Sequence, residues 1–425
     1  MERIRIKGGK SLFGELELQG AKNSALPILA AAILCESPCI IHNCPDITDV
    51  SAAVKILEYL GCKVIRAGSS LSVDAGGFMC REVPDRLMRE MRSSIIFLGA
   101  VVSKCGCALL SFPGGCELGP RPIDIHLCSL RKMGLEIEES HGRLDCFLKK
   151  PMKGCEIDLP FPSVGATENI MLAAVKAKEK TVIRNAAREP EIADLANFLT
   201  ACGAKIYGAG ESTVEIEGVS RLHGCEHRVI PDRIAAATYL SAVGACGGKI
   251  RINSVEPTHL YSALPFFKQA GGDIKISGKA IECEFKNRPF ALSEVRTGVY
   301  PGFPTDAQPT LMAMAAVSEG TTVFVENIFE NRFRQAGELT RLGAKIRVEG
   351  RVAVVEGVGR LTGANVEATD LRGGAALAVA GLCADSVTTV GHVEYIKRGY
   401  ENFAENFEKL GADIKVSKGK KQYDR

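Results

Sequence analysis

One phrase returns six times along the chain: Leu60-Gly61-Cys62-Lys63-Val64, Met133-Gly134-Leu135-Glu136-Ile137, Cys202-Gly203-Ala204-Lys205-Ile206, Ala270-Gly271-Gly272-Asp273-Ile274, Leu342-Gly343-Ala344-Lys345-Ile346 and Leu410-Gly411-Ala412-Asp413-Ile414. The copies lie about 70 residues apart, longer than the 20–50 residues of solenoid repeats. The unit is therefore a small fold repeated, not a layer in a stack. Around each copy the pattern is the same. Residues 231–240 are Ala-rich and apolar nearly all round, which predicts a buried helix. A strand follows at 249–252, then a second helix with Leu260, Leu264, Phe267 and Ala270 at helical spacing and a glycine at its end. Alternating strands at 273–277 and 280–285, joined through Gly278-Lys279, close the unit as a hairpin.

Six such units predict an α/β protein of two domains, each with three repeats, helices buried and sheets outside. Pro and Gly breaks near Gly20 and Ile230 place one domain at 21–230. The other joins 1–20 to 231–425, with the active site expected in the cleft between them.

Composition narrows the partners. A net charge of +3 over 425 residues gives no electrostatic case for nucleic acid or a membrane surface. The longest apolar runs, such as 26–34, are too short to span a bilayer, and residues 1–7 alternate like a strand without a signal-peptide core. A cytoplasmic location is expected. The sixteen cysteines read as scattered, with no C-x-x-C pair. Cys35, Cys39, Cys105 and Cys107 sit in apolar surroundings, where cysteine packs as a small hydrophobe. His223-Gly224-Cys225-Glu226-His227 has ligand-type residues but no second half, so no metal is expected. Gly8-Gly9-Lys10-Ser11 lacks the upstream glycine of a P-loop, which would fall at Ile4.

The loop 111–124 carries three glycines and three prolines, with Cys116, Arg121 and Asp124 among them. Loops of this kind in a well-patterned chain commonly carry function. Arg121 could favour a Cys116 thiolate or hold a phosphate or carboxylate bidentately, and a plain surface turn is the alternative.

The repeats and this loop, together with Gly20-Ala21-Lys22-Asn23-Ser24-Ala25, Met91-Arg92-Ser93-Ser94-Ile95, Ser163-Val164-Gly165-Ala166-Thr167-Glu168-Asn169, Gly302-Phe303-Pro304-Thr305-Asp306, Glu330-Asn331-Arg332-Phe333, Ala368-Thr369-Asp370-Leu371-Arg372 and Ile396-Lys397-Arg398-Gly399-Tyr400, resemble the enolpyruvyl transferases over almost the whole chain. The resemblance implies that family's fold, a two-domain inside-out α/β barrel of six βαβ-type repeats. It also implies transfer of the enolpyruvyl group of phosphoenolpyruvate to the 3′-hydroxyl of UDP-N-acetylglucosamine by addition and elimination, releasing phosphate, as the first committed step of peptidoglycan synthesis. Residue by residue it makes Cys116, Asp306, Lys22 and Arg398 catalytic. Cys116 becomes the general acid, able to form a thioketal adduct with phosphoenolpyruvate and to be alkylated by fosfomycin; Asp306 becomes the base. Lys22, Asn23, Arg121, Arg332, Arg372 and Arg398 would surround phosphoenolpyruvate. Arg92, Arg121, Pro122, Ile123, Asp124, Ile125, Ser163, Val164, Gly165, Asp306 and Ile328 would hold the nucleotide sugar. No cofactor is implied beyond the Cys116 adduct.

Each position also has a bland reading: Asp306 as a helix N-cap, the arginines as surface ion pairs, Lys22 as a solvated lysine. Phe161 stands where some members carry a nucleotide-contacting lysine, and it cannot make that contact. Two rival readings are the sister enzyme acting on shikimate 3-phosphate, against which the Pro-Gly-Gly-Cys loop argues, and a silent nucleotide-sugar-binding relative, against which Cys116, Asp306, Lys22 and Arg398 argue.

Overall fold

The glycine of every repeated phrase has a left-handed backbone: φ is +87° at Gly61, +98° at Gly134, +100° at Gly203, +98° at Gly271, +91° at Gly343 and +89° at Gly411. Each lies one residue past the cap of a helix, as Gly61 does after Thr48–Tyr59 and Gly411 after Phe403–Lys409. Cys62 then donates its N–H back to Leu57 O at 3.0 Å, closing the helix end before the next strand starts. A side chain at these glycines would strain the turn that launches each hairpin.

The computed structural model describes residues 2–112 and 123–418. It divides into two compact units, one from residues 20–230 and the other from 2–19 with 231–418. In the first unit the strands form sheets around the apolar helices Lys22–Ala31, Phe97–Cys105 and Val164–Ala174. The second unit has Arg233–Cys246, Gln308–Ala315 and Leu371–Cys383, which pack on one another and are buried along almost their whole length. Among the described residues there are six separate sheets, five of four strands and one of three, and none closes on itself.

The chain start belongs with the C-terminal half because two sheets there need it. Leu12–Glu17 runs parallel to Gly248–Asn253, which pairs antiparallel with Ala280–Phe285. Glu2–Lys7 lies antiparallel between Val387–Gly391 and Asp413–Lys418. Its alternation sends Ile4 and Ile6 into the core, as Ile250 and Ile252 go in from their own strand.

Two expectations needed correction. The second helix of the fourth repeat is split into a 3₁₀ turn, Pro257–Leu260, and a short α-helix, Leu264–Gln269. Pro265 has no N–H to continue a helix from the preceding turn, yet Leu260, Leu264, Phe267 and Ala270 all remain buried. The cysteines are not all scattered. Cys35, Cys39 and Cys202 converge with their Sγ atoms within 4.8 Å of one another, because the end of one helix, the start of a strand and the cap of another helix meet there.

Candidate active site

In the unit of residues 20–230, the helix Lys22–Ala31 starts from a close backbone approach. A Cβ on Gly20 would fall 1.8 Å from Asn43 O, and Asn43 in turn donates to Val229 O at 3.0 Å. Ala21 N donates to Ile230 O at 2.8 Å. Ser24, fully buried, donates its hydroxyl to Asp194, which also accepts from Ile230 N and faces His227 Nε2 at 2.9 Å. With its backbone fixed this way, Lys22 places its ammonium 2.8 Å from Asp49, a carboxylate only 1% exposed. The solvated-lysine reading of Lys22 is therefore wrong. Asn23 follows it on the same first turn.

A second cluster of the same unit is tied by Asn169. Its side-chain oxygen accepts from Gly99 N at 2.7 Å, and its Nδ2 donates to Ile95 O and to His126 Nδ1, each at 2.9 Å. These bonds hold together the 3₁₀ turn Arg92–Ile96, the helix Asp124–Lys132 and the helix Val164–Ala174. The segments named for the nucleotide sugar around Arg92, Ile123 to Ile125, and Ser163 to Gly165 thus share one frame. Ser163 caps the third helix by accepting from Ala166 N at 3.3 Å. Gly165 leaves room for the imidazole: an added Cβ would lie 3.1 Å from His126 Cε1. Burial pushes His126 down to about 4, against a smaller opposing effect of Asp124, so the ring is neutral near pH 7. On the helix Val164–Ala174, burial and then Glu191 and Glu189 raise the Glu168 carboxyl well above its ordinary range. Phe161 is 41% exposed and offers no charge.

The other unit brings Asp306, Arg332 and Arg372 together. Arg332 is 1% exposed and donates from Nε and Nη2 to Thr305 O at 3.1 and 3.0 Å, and from Nη2 to Asp306 Oδ1 at 3.1 Å. Arg372 Nη2 lies 3.4 Å from Asp306 Oδ2. Burial works against the Arg372 charge, but Tyr400 and Asp306 hold it above its ordinary value, and its guanidinium sits 5.2 Å over the Tyr400 ring. Its Nε and Nη1 are buried without a hydrogen-bond acceptor among the described residues. The surface-ion-pair reading fails for both arginines. Asp306 is not the N-cap of the following helix either. That position falls on Ala307, while the Asp306 carboxylate faces the two guanidinium groups.

Neighbouring residues set these positions. Asp370 caps Leu371–Cys383 through Arg372 N and Gly373 N, each at 3.0 Å, and lies 3.9 Å from Arg332 Nη1. Buried Glu326 accepts from Thr305 Oγ1 at 3.1 Å and from Ile328 N at 2.8 Å, fixing the turns on which Asp306 and Ile328 sit. Arg398 is half-buried at the end of the short helix Val393–Lys397, two residues before Tyr400. Cys116, Arg121 and Pro122 lie outside the described residues. No helix among the described residues is long and apolar enough to cross a membrane.

A family model described as EPSP synthase (3-phosphoshikimate 1-carboxyvinyltransferase) matches residues 6–407. The chain belongs to the EPSP synthase family of enolpyruvyl transferases. Within that family it is 50% identical over 414 residues to UDP-N-acetylglucosamine 1-carboxyvinyltransferase 2 of Caldanaerobacter subterraneus subsp. tengcongensis, covering 97% of this chain and 99% of the relative. It is 44% identical to UDP-N-acetylglucosamine 1-carboxyvinyltransferase 1 of Carboxydothermus hydrogenoformans, covering all of both. Among solved structures, the enolpyruvyl transferase NikO from Streptomyces tendae superposes with a TM-score of 0.89 at 26% identity, covering 98% of this chain and 99% of that one. EPSP synthase from Acinetobacter baumannii, at 19% identity and a TM-score of 0.76, shares the fold.

Sequence reasoning on this enolpyruvyl transferase missed Asp49, Glu326, His126 and Tyr400 as supports. Asp49 carries one signal, an acid in the first turn of Thr48–Tyr59, but nothing local ties it to Lys22. Buried charge partners are recognised by distance, not by spacing.

Proposed function

We propose that the chain transfers the enolpyruvyl group of phosphoenolpyruvate to the 3′-hydroxyl of UDP-N-acetylglucosamine and releases phosphate, in the cytoplasm, at the entry to peptidoglycan synthesis. The observation that carries the reading is the Asp306 carboxylate held against Arg332 and Arg372, both buried, with Nε and Nη1 of Arg372 left without an acceptor among the described residues. Such a group suits an anionic substrate beside a base: the arginines take the substrate carboxylate, and Asp306 receives the hydroxyl proton. The choice of acceptor rests on the relatives, which carry the name of that activity at 44–50% identity over nearly full length.

In this reading the sugar hydroxyl adds to C2 of phosphoenolpyruvate while Cys116 protonates C3, giving a tetrahedral intermediate that keeps its phosphate and carboxylate. Loss of the C3 proton and of phosphate restores the double bond. Lys22, with Asp49 behind it, and Arg121 and Arg398 offset the phosphate charge without reorganising during the reaction. Asn23 stands beside Lys22. The nucleotide sugar takes the Asn169-tied segments and Ile328, and no cofactor takes part beyond an adduct at Cys116.

The test is phosphate release from phosphoenolpyruvate with UDP-N-acetylglucosamine, run beside shikimate 3-phosphate. Release with the nucleotide sugar alone, lost in Cys116→Ala, is the expected result. Release with shikimate 3-phosphate, or with neither acceptor, overturns the reading.

A further inference from the structure

We propose that the thiols of Cys35, Cys39, Cys202 and Cys225 form a structural zinc site in the unit of residues 20–230. The first three are buried, with relative exposures of 1%, 0% and 0%, and their Sγ atoms lie within 4.8 Å of one another. Cys35 and Cys202 are 3.6 Å apart through sulfur. Cys225, half-buried, extends the group through Cys202, 3.4 Å away. Four sulfurs about 2.3 Å from a tetrahedral zinc stand about 3.8 Å from one another; the Cys35–Cys202 and Cys202–Cys225 separations are already close to that, and Cys225, which lies outside the group of three mutually close sulfurs, would move in to complete the set.

The chemistry favours a soft divalent ion. The clustered ligand atoms are all thiol sulfurs, and an all-sulfur tetrahedral set selects zinc over the hard cations. Anionic sulfur held in a buried place is costly unless a cation compensates it. Zinc would do so, and its binding would release the thiol protons to solvent.

The site would also have a mechanical effect. Cys35 ends the continuous helical run that begins at Lys22, and Cys39 opens the strand Cys39–His42. Cys202 caps Pro190–Ala201, and Cys225 directly precedes the strand Glu226–Arg228. Backbone bonds already draw these segments together, from Glu36 N to Leu222 O at 2.9 Å and from His223 N to Cys202 O at 3.0 Å. A metal there would clip the far end of the helix whose first residue is Lys22. The sequence shows only half of this set at a time, Cys35 with Cys39 and Cys225 near Cys202, which is why the pattern reads as incomplete.

The test uses the full chain with any affinity tag removed, stripped with chelator under reducing conditions, dialysed against zinc and analysed by elemental mass spectrometry. About one zinc per chain is expected, with X-ray absorption giving four sulfurs at about 2.3 Å. Cys35→Ser/Cys202→Ser should lose at least about tenfold of that zinc, while Cys80→Ser/Cys107→Ser, which removes a separate exposed thiol pair 3.3 Å apart, should keep it. The absorption measurement on the unaltered chain decides the matter if the first variant does not fold. No zinc uptake, a first shell of nitrogen and oxygen, iron in place of zinc, loss of zinc only in the Cys80/Cys107 variant, or a native Cys35–Cys202 disulfide would each overturn the proposal.

Discussion

Replacing His126 with asparagine should remove a specific acid sensitivity from the folded chain. In the native structure His126 is 8% exposed, and Nδ1 accepts from Asn169 Nδ2, so the ring stays neutral with its proton on Nε2. Burial lowers its pKa from 6.5 to about 4. The unfolded chain therefore binds a proton that the native chain refuses between those values. The stability tied to neutral His126 is therefore intact above pH 6.5 and is lost as pH falls from there toward 4. Linkage over the full interval amounts to about 3 kcal/mol, of which about 2 kcal/mol is gone at pH 5.0. Asparagine keeps an acceptor near Nδ1 and cannot titrate. Denaturant unfolding at pH 7.5 and pH 5.0 should show the unaltered chain losing about 2 kcal/mol more than His126→Asn between the two pH values. Because a chain of two units need not unfold in one step, the ring itself should also be followed by NMR with labelled histidine, where only seven residues contribute. A His126 ring that titrates near 6.5 in the folded protein would refute the argument outright.

Asp306→Asn should lower the turnover of phosphate release by about 10²- to 10⁴-fold while the chain still folds, measured by steady-state kinetics with the fold checked by circular dichroism. Asp49→Asn should reduce kcat/KM for phosphoenolpyruvate by about tenfold or more, since Lys22 loses the buried carboxylate 2.8 Å away that fixes it; unchanged kinetics would show that Lys22 is positioned by something else. Asp370→Ala removes both cap bonds of Leu371–Cys383 and should cost about 1–2 kcal/mol in denaturant unfolding, with activity falling further than stability because Arg372 is the first residue past that cap but one. Gly99→Ala would put a Cβ 2.3 Å from Asn169 O and 2.7 Å from its side-chain oxygen, and should destabilise the unit of residues 20–230 by about 1–3 kcal/mol on the same assay.

The fold was legible because its repeat signal is local. A glycine that must adopt positive φ after a helix is a property of a few residues, and all six copies of the phrase obey it. The buried helices were legible for a similar reason, since an element apolar on every side has nowhere else to go. The site was less so. Its functional residues came from family resemblance, and the bland readings of Lys22, Asp306, Arg332 and Arg372 were reasonable from local sequence alone. They fail because Asp49 and Asp306 are brought to these cations by packing, across 27 residues for Lys22 and across 26 and 66 for the arginines.

Those separations are not all arbitrary. Gly99 N meets Asn169 across 70 residues, Ser241 Oγ meets Thr310 Oγ1 across 69, Arg288 meets Val358 O across 70, and Arg372 meets Asp306 across 66. Each is close to one repeat. Successive repeats place equivalent helices side by side within a unit, so a residue and its counterpart one repeat later face each other at nearly the same height. The repeat period is therefore also a contact distance, and polar residues about 70 apart on the buried helices are the first candidates for a bonded pair. Asp306, on the turn just before Gln308–Ala315, and Arg372, in the first turn of Leu371–Cys383, keep nearly the same spacing and could have been paired from the sequence once the period was known. Arg332 does not: it reaches Asp306 from within the same repeat, through a turn whose course depends on Glu326 and Thr305, and no periodicity encodes it. The same limit hid the sulfur cluster, whose members come from helix ends and strand entries outside the periodic helices.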